Sequence, residues 1–140
     1  MTLLEKLGIK HPILLAPMAG VSTPELAAEV SNQGGLGSLG LGASSVENAR
    51  KQILQTQELT DQPFQVNFFC HDSVELDEQI AAQWILQFNS LFTEFDAAAP
   101  EALNCIYPSF KDDDHFLNLV LETCPKAVSF HFGIPHPHQI

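Results

Sequence analysis

The chain has 140 residues, 45% of them hydrophobic, and a formal net charge of −11 from 17 acidic and 6 basic residues. That is one domain's worth of chain with enough apolar material for a sizeable core, which argues against disorder. The acidic balance disfavours a sequence-independent grip on nucleic acid or on an anionic membrane, and no run approaches the roughly 18 consecutive apolar residues of a membrane span.

The first predicted strand, near residues 12–17, runs through Pro12-Ile13-Leu14-Leu15-Ala16-Pro17 and stops at Met18-Ala19-Gly20. An apolar strand ending on small residues delivers bare backbone to its carboxyl end, where α/β proteins hold cofactors. Met18 adds a polarizable thioether that can lie against an aromatic face, so a flavin would fit such a strand end. A tight βα turn with a core methionine is the plainer alternative. Ser22-Thr23-Pro24-Glu25 predicts a helix start, with Thr23 or Ser22 as N-cap and Leu26, Ala27 and Val30 on the apolar face. Gly34-Gly35 should stop that helix, and a glycine-laced strand follows near residues 35–41.

Ser44-Ser45-Val46-Glu47 is a capping-box candidate for a helix to about Thr56, with Val46, Ala49, Ile53 and Leu54 inward. A third strand is expected near 64–69. One longer helix then starts near Ser73 and places Leu76, Ile80, Trp84, Phe88, Leu91, Phe92 and Phe95 in an apolar stripe suited to packing on the outside of the fold or on a subunit partner. Asn104 to Phe110 should include a short extended piece. A last helix spans roughly Asp112 to Cys124 before Pro125 stops it, and a fourth strand lies near 127–132. The acidic run Asp112-Asp113-Asp114 reads as a solvated helix start, and no metal site is implied.

Three cysteines, Cys70, Cys105 and Cys124, show neither CxxC nor paired zinc spacing, and their odd number suits a reducing compartment. Met1 to Leu7 lacks the basic-then-apolar pattern of a signal peptide, so a cytoplasmic location is expected.

Two places in this alternating pattern carry chemistry. In the third strand Gln65 and Asn67 share one face, opposite Phe64, Val66 and Phe68. Buried carboxamides need partners, since an unpaired amide costs roughly 1–3 kcal/mol, and the alternating N–H and C=O groups of a flavin ring edge are an apt match. Satisfaction by neighbouring backbone is the alternative. His131 lies between Phe130 and Phe132 near the carboxyl end of the fourth strand, where it is either a satisfied core histidine or a group that contacts substrate or handles protons. His136 and His138, set among prolines, read as a solvent-exposed loop.

The segments Ala-Pro-Met-Ala-Gly (16–20), Thr-Pro-Glu-Leu-Ala (23–27) and Ser-Asn-Gln-Gly-Gly-Leu-Gly (31–37) resemble the nitronate monooxygenase family, also called 2-nitropropane dioxygenases. Leu59-Thr60-Asp61-Gln62-Pro63-Phe64-Gln65-Val66-Asn67 resembles the family's third-strand segment, and Val128 to Gly133 its fourth. The resemblance implies an FMN-dependent TIM (β/α)8 barrel that oxidises alkyl nitronates with O2. A complete barrel takes roughly 250 residues, so residues 1–140 read as its N-terminal half, truncated after about four βα units. The cofactor-binding residues would be Ala16, Pro17, Met18, Ala19, Gln65 and Asn67, although many members have glycine where Gln65 stands. His131 would be the catalytic candidate. The family's better-known catalytic histidine belongs to a later Gly-Gly-His segment that is not in this sequence, and the loops that hold the FMN phosphate come later still, so weak or absent FMN binding and no activity are expected of these residues alone. An NAD(P)H-dependent enoyl reductase is the nearest alternative. A non-catalytic half barrel is another: its open strand edges would pair with a second copy or with the missing half.

Overall fold

The computed structural model describes residues 1–112 and 114–140. Asp113, in the acidic run read as a helix start, lies outside the described residues. The chain divides into two compact units, one formed by Met1–Asp72 with Tyr107–Ile140 and the other by Ser73–Ile106.

The first unit opens with helix α1 (Leu3–Leu7), capped by Thr2 and Glu5 in a reciprocal pair of backbone bonds and closed by Gly8 at φ 71°. Helix α2 (Pro24–Asn32) starts as expected, with the Thr23 hydroxyl accepting from the Leu26 amide. Strand β1 (Gly37–Gly40), helix α3 (Val46–Leu59), strand β2 (Phe64–Phe69), helix α6 (His115–Thr123) and strand β3 (Ala127–His131) complete it, with a final 3-10 turn at Pro137–Gln139. The three strands form one parallel sheet in the order β1-β2-β3, with Ser38 paired to Gln65, Gly40 to Asn67, Asn67 to Ser129 and Phe69 to His131.

One face of the sheet packs on the helices. Leu39 and Leu41 from β1 and the residues after it, Ala27, Ala49 and Ile53 from α2 and α3, Phe64, Val66, Phe68 and Cys70 from the β2 segment, and Phe116 and Leu119 from α6 form one buried cluster. Each large aliphatic or aromatic side chain fully buried there contributes about 1.5–3 kcal/mol relative to exposure. The Phe68 ring lies 5.4 Å from Phe110 and 4.9 Å from Phe116, in tilted arrangements. Because side chains alternate along a strand, Ser38, Gly40, Gln65, Asn67, Ser129 and His131 share the opposite face.

Five expectations are corrected. The strand near 12–17 is reduced to a single parallel bridge, Leu14 to Leu36, with Leu15 N donating to Leu36 O and Leu36 N to Ile13 O. The next rung of such a ladder needs the N–H of residue 17, which is a proline. On α2 the buried residues are Pro24, Ala27, Ala28 and Ser31, whereas Leu26 is exposed. The N-cap of α3 is Ser45, which bonds the Asn48 amide, and the helix continues to Leu59 with Thr56 inward and Leu54 exposed. Residues 104–110 form no strand. The last helix begins at His115 rather than Asp112, because Asp112 Oδ2 instead accepts from the Ser109 amide in a preceding turn.

In the second unit the expected single helix is two: α4 (Glu78–Gln87), capped by Asp77, and α5 (Asn89–Glu94), separated at Phe88. The Trp84 and Phe88 rings stack 5.4 Å apart. The apolar stripe lies open: Leu76, Ile80, Trp84, Phe88, Leu91 and Phe95 are all exposed, and Ala81 is the buried residue of α4. Among the described residues no helix is long and apolar enough to cross a membrane.

Candidate functional site

At the carboxyl ends of the strands a cleft of about 200 Å3 is lined by Pro17, Ala19, Gly40, Gly42, Asn67, Phe69, His131 and Phe132. Its floor is set by β2. Asn67 is 2% exposed and its carboxamide is held at both ends: Nδ2 donates to Ser129 Oγ at 2.9 Å, and Oδ1 lies 3.0 Å from His131 Nδ1. The parallel register puts Ser129 directly beside Asn67 and His131 beside Phe69, so a carboxamide reaches both neighbours on β3 without leaving the sheet face. A carboxamide has two N–H donors and two lone pairs, so each end retains one unused position.

One wall is backbone. The segment Ala16 to Gly20 leaves the Leu14 bridge and is folded back by Ser22, whose hydroxyl accepts from Met18 N at 2.9 Å and donates to Ala16 O at 3.1 Å. A Cβ placed on Gly40 would come within 3.0 Å of the Met18 and Ala19 backbone, and one on Gly42 within 2.6 Å of the Phe69 ring. The absence of side chains at these two positions is therefore what lets the loop and the ring approach β1.

The structure thus brings Pro17, Ala19, Asn67 and His131 to one cleft. Ala16 and Met18 belong to the same exposed loop but do not line the cleft, and Gln65 lies one rung deeper on the same face, level with Ser38. Ser38 Oγ is fully buried without a hydrogen-bond partner among the described residues. Besides the lining residues Gly40, Gly42 and Phe69, the contributors Ser22, Ser129 and Phe132 were not singled out from sequence. Ser22 was weighed only as an N-cap. Ser129 carries a signal in hindsight, being two residues before His131 and so on its face. Phe132 adopts φ 70° and sets its ring 5.1 Å from Phe69 at the rim.

Beside the cleft, Lys111 Nζ donates to Asp72 Oδ1 at 2.6 Å. That bond holds the Asp72 carboxyl below its ordinary range and raises the Lys111 ammonium. Cys70 is buried on the helix-facing side, which settles its orientation, and burial pushes its thiol up, with Lys111 opposing in part. His136 and His138 are exposed, with stacked rings. A wider depression of about 490 Å3 lies at the opposite ends of β2 and β3, lined by Gly8, Gln57, Thr60, Phe64 and Lys126 among others. It lacks the convergent amide and imidazole of the carboxyl-end cleft.

The residues present fit part of a flavin. A bare backbone wall, a free donor and acceptor on Asn67 and an imidazole suit a planar ring with a polar edge. The cleft volume of about 200 Å3 is below the roughly 300–1,000 Å3 of a complete small-molecule pocket.

A parallel sheet covered by helices on one face, with polar groups gathered on the other at the strand carboxyl ends, is the arrangement of a segment of a (β/α)8 barrel. The nitronate monooxygenase family profile matches residues 1–140, and the chain belongs to that family. It is 50% identical over 133 residues to the nitronate monooxygenase of Paraburkholderia phytofirmans, covering 95% of this chain and 36% of that protein. It is 48% identical over 134 residues to that of Pseudomonas aeruginosa, covering 96% and 38%. Among solved structures it is similar to nitroalkane oxidase from Streptomyces ansochromogenes, with TM-score 0.79, 32% identity and coverage of 94% of this chain and 37% of the other. It is also similar to FabK from Thermotoga maritima, with TM-score 0.56, 29% identity and coverage of 90% and 28%. The chain spans just over a third of the length of the curated relatives it matches.

Proposed function

We propose that this chain supplies the ring-side part of the active site of an FMN-dependent oxidoreductase that oxidises alkyl nitronates with O2. The observation that carries the reading is the convergence of the Asn67 carboxamide, the His131 imidazole and the bare Pro17–Ala19 backbone on one cleft at the strand carboxyl ends. FMN, when bound, supplies the redox chemistry, taking electrons from the nitronate and passing them to O2. The protein's part is positional. Asn67, with Pro17 and Ala19 of the Ala16–Ala19 loop, would hold the ring, the Met18 thioether of that loop would be available to its face, and Gln65, one rung below Asn67 on the same face, would belong to the same polar side. His131 lines the same cleft, where its imidazole would contact the nitro group of the substrate.

The FMN phosphate is assigned to loops after the later barrel strands, beyond these residues. Residues 1–140 by themselves therefore form an N-terminal part of the barrel, bind FMN weakly and are inactive, and the outer edge of β3 pairs with the strand that follows in the complete barrel. The cysteine usage assigns the protein to the cytoplasm. Similarity to FabK favours one second reading, a different flavin barrel that reduces an enoyl substrate with NAD(P)H.

The test is visible absorbance of the 140-residue chain titrated with FMN, beside a complete barrel carrying these residues. Flavin retained by the complete barrel alone, and bleached anaerobically by an alkyl nitronate, supports the proposal. Bleaching by NAD(P)H without response to nitronates overturns it in favour of the second reading, and stoichiometric FMN on the 140-residue chain overturns the assignment of the phosphate site.

A further inference from the structure

The hydrogen-bond chain from Ser129 through Asn67 to His131 does more than tie two strands together. In the structure Asn67 Nδ2 donates to Ser129 Oγ, and with the carboxamide in that orientation its Oδ1 meets His131 Nδ1 at 3.0 Å. An amide oxygen only accepts, so the shared proton must reside on Nδ1. Which ring nitrogen of a histidine carries its proton is set by the bond made at the other. Asn67 is 2% exposed, so water does not compete for its oxygen, whereas His131 is exposed at the cleft.

We infer that Ser129 is a positioning residue: by fixing the orientation of the Asn67 carboxamide it keeps a proton on His131 Nδ1 and leaves Nε2 as the ring nitrogen open to a ligand. The neutral ring then presents an acceptor at Nε2, and the imidazolium presents a donor at the same atom. In the proposed nitronate site this makes Nε2 the atom that meets the substrate oxygens, and only that consequence rests on the functional reading. The tautomer itself is a property of this chain without flavin or substrate.

The experiment is a two-bond 1H–15N correlation spectrum of the 140-residue chain labelled at histidine, recorded at a pH of about 8.5, two units above the ordinary imidazole range. His131 is assigned by loss of its pattern in H131N. The expected wild-type pattern is a pyrrole-type Nδ1 and a pyridine-type Nε2. In S129A the carboxamide is free to turn over, and the two nitrogens should move toward one another as the tautomers average; S129T, which keeps the hydroxyl, should restore the wild-type pattern. If S129A does not fold, S129C keeps the volume while replacing the hydroxyl with a weak sulfur acceptor, and the same averaging is expected. A pyridine-type Nδ1 in the wild type overturns the inference, as does a pure Nδ1–H pattern in folded S129A or S129C. Failure of a complete barrel to oxidise nitronates would refute the functional reading alone, because the tautomer is read without substrate.

Discussion

Replacing Ser22 with alanine tests whether the Ala16–Gly20 loop is held by one hydroxyl. Ser22 is 5% exposed and makes two bonds, accepting from Met18 N at 2.9 Å and donating to Ala16 O at 3.1 Å. A typical intramolecular hydrogen bond has a net value of about 0.5–1.5 kcal/mol, so the pair sets an upper range of about 1–3 kcal/mol. Ala16 is exposed, and water can take over its carbonyl, which leaves the Met18 amide as the main loss and puts the effect at about 1–2 kcal/mol. That corresponds to a factor of about 5–30 in the opening equilibrium. The assay is native-state hydrogen exchange: the Met18 amide should exchange about 5- to 30-fold faster in S22A, while amides in β2, such as that of Val66, keep their protection because the loop opens locally. Unchanged protection at Met18 would refute the clamp. Equal acceleration at Val66 would show instead that the hydroxyl acts on the stability of the whole unit.

Ile53, fully buried between α3 and the sheet, should cost about 2–5 kcal/mol on truncation to alanine, read as a lower urea midpoint at unchanged slope. Gly40→Ala puts a methyl within 3.0 Å of the Met18 and Ala19 backbone and should cost about 1–3 kcal/mol through overpacking, with chemical-shift changes centred on residues 17–20. The raised Cys70 thiol makes stability fall at alkaline pH. The unfolded thiol ionises near 9.0 while the folded one stays protonated, so the contribution is complete below pH 9.0 and is lost as pH rises through the folded value. C70A should flatten that alkaline limb in denaturant titrations. Removing the Lys111 ammonium in K111M should return the Asp72 carboxyl toward its ordinary 3.8, an upward shift visible in a carboxyl NMR titration.

Much of the fold was legible because it follows from local signals. Thr23-Pro24 announces a helix start whose hydroxyl does cap the first turn, and the alternation of Phe64 to Phe69 separates a helix-facing from a polar face. The family motifs pointed to the right barrel and to the strand ends that form the cleft. What failed needed pairing geometry. Pro17 looks harmless at a strand end until the parallel ladder asks residue 17 for a proton. The break at Phe88 is invisible to a periodicity that continues at spacings of three and four on both sides. Helix α1 was missed although Thr2, Glu5 and Gly8 spell a capping box and a left-handed stop, because five residues are too few for a hydrophobic period. Within the site, Asn67 and His131 stand out as polar groups in apolar strands. Their contact does not, since it depends on a register between segments 64 residues apart.

Trp84 is the chain's only tryptophan, and it lies in the Ser73–Ile106 unit, half exposed and stacked on Phe88. Intrinsic tryptophan fluorescence therefore reports on the two short helices of that unit. A fluorescence midpoint that precedes the far-ultraviolet dichroism midpoint would record the melting of those helices, with β1, β2 and β3 still paired. The same indole is a built-in sensor for whatever comes to cover the exposed stripe: a blue shift on mixing with a candidate partner reports occupancy of that surface with no added label.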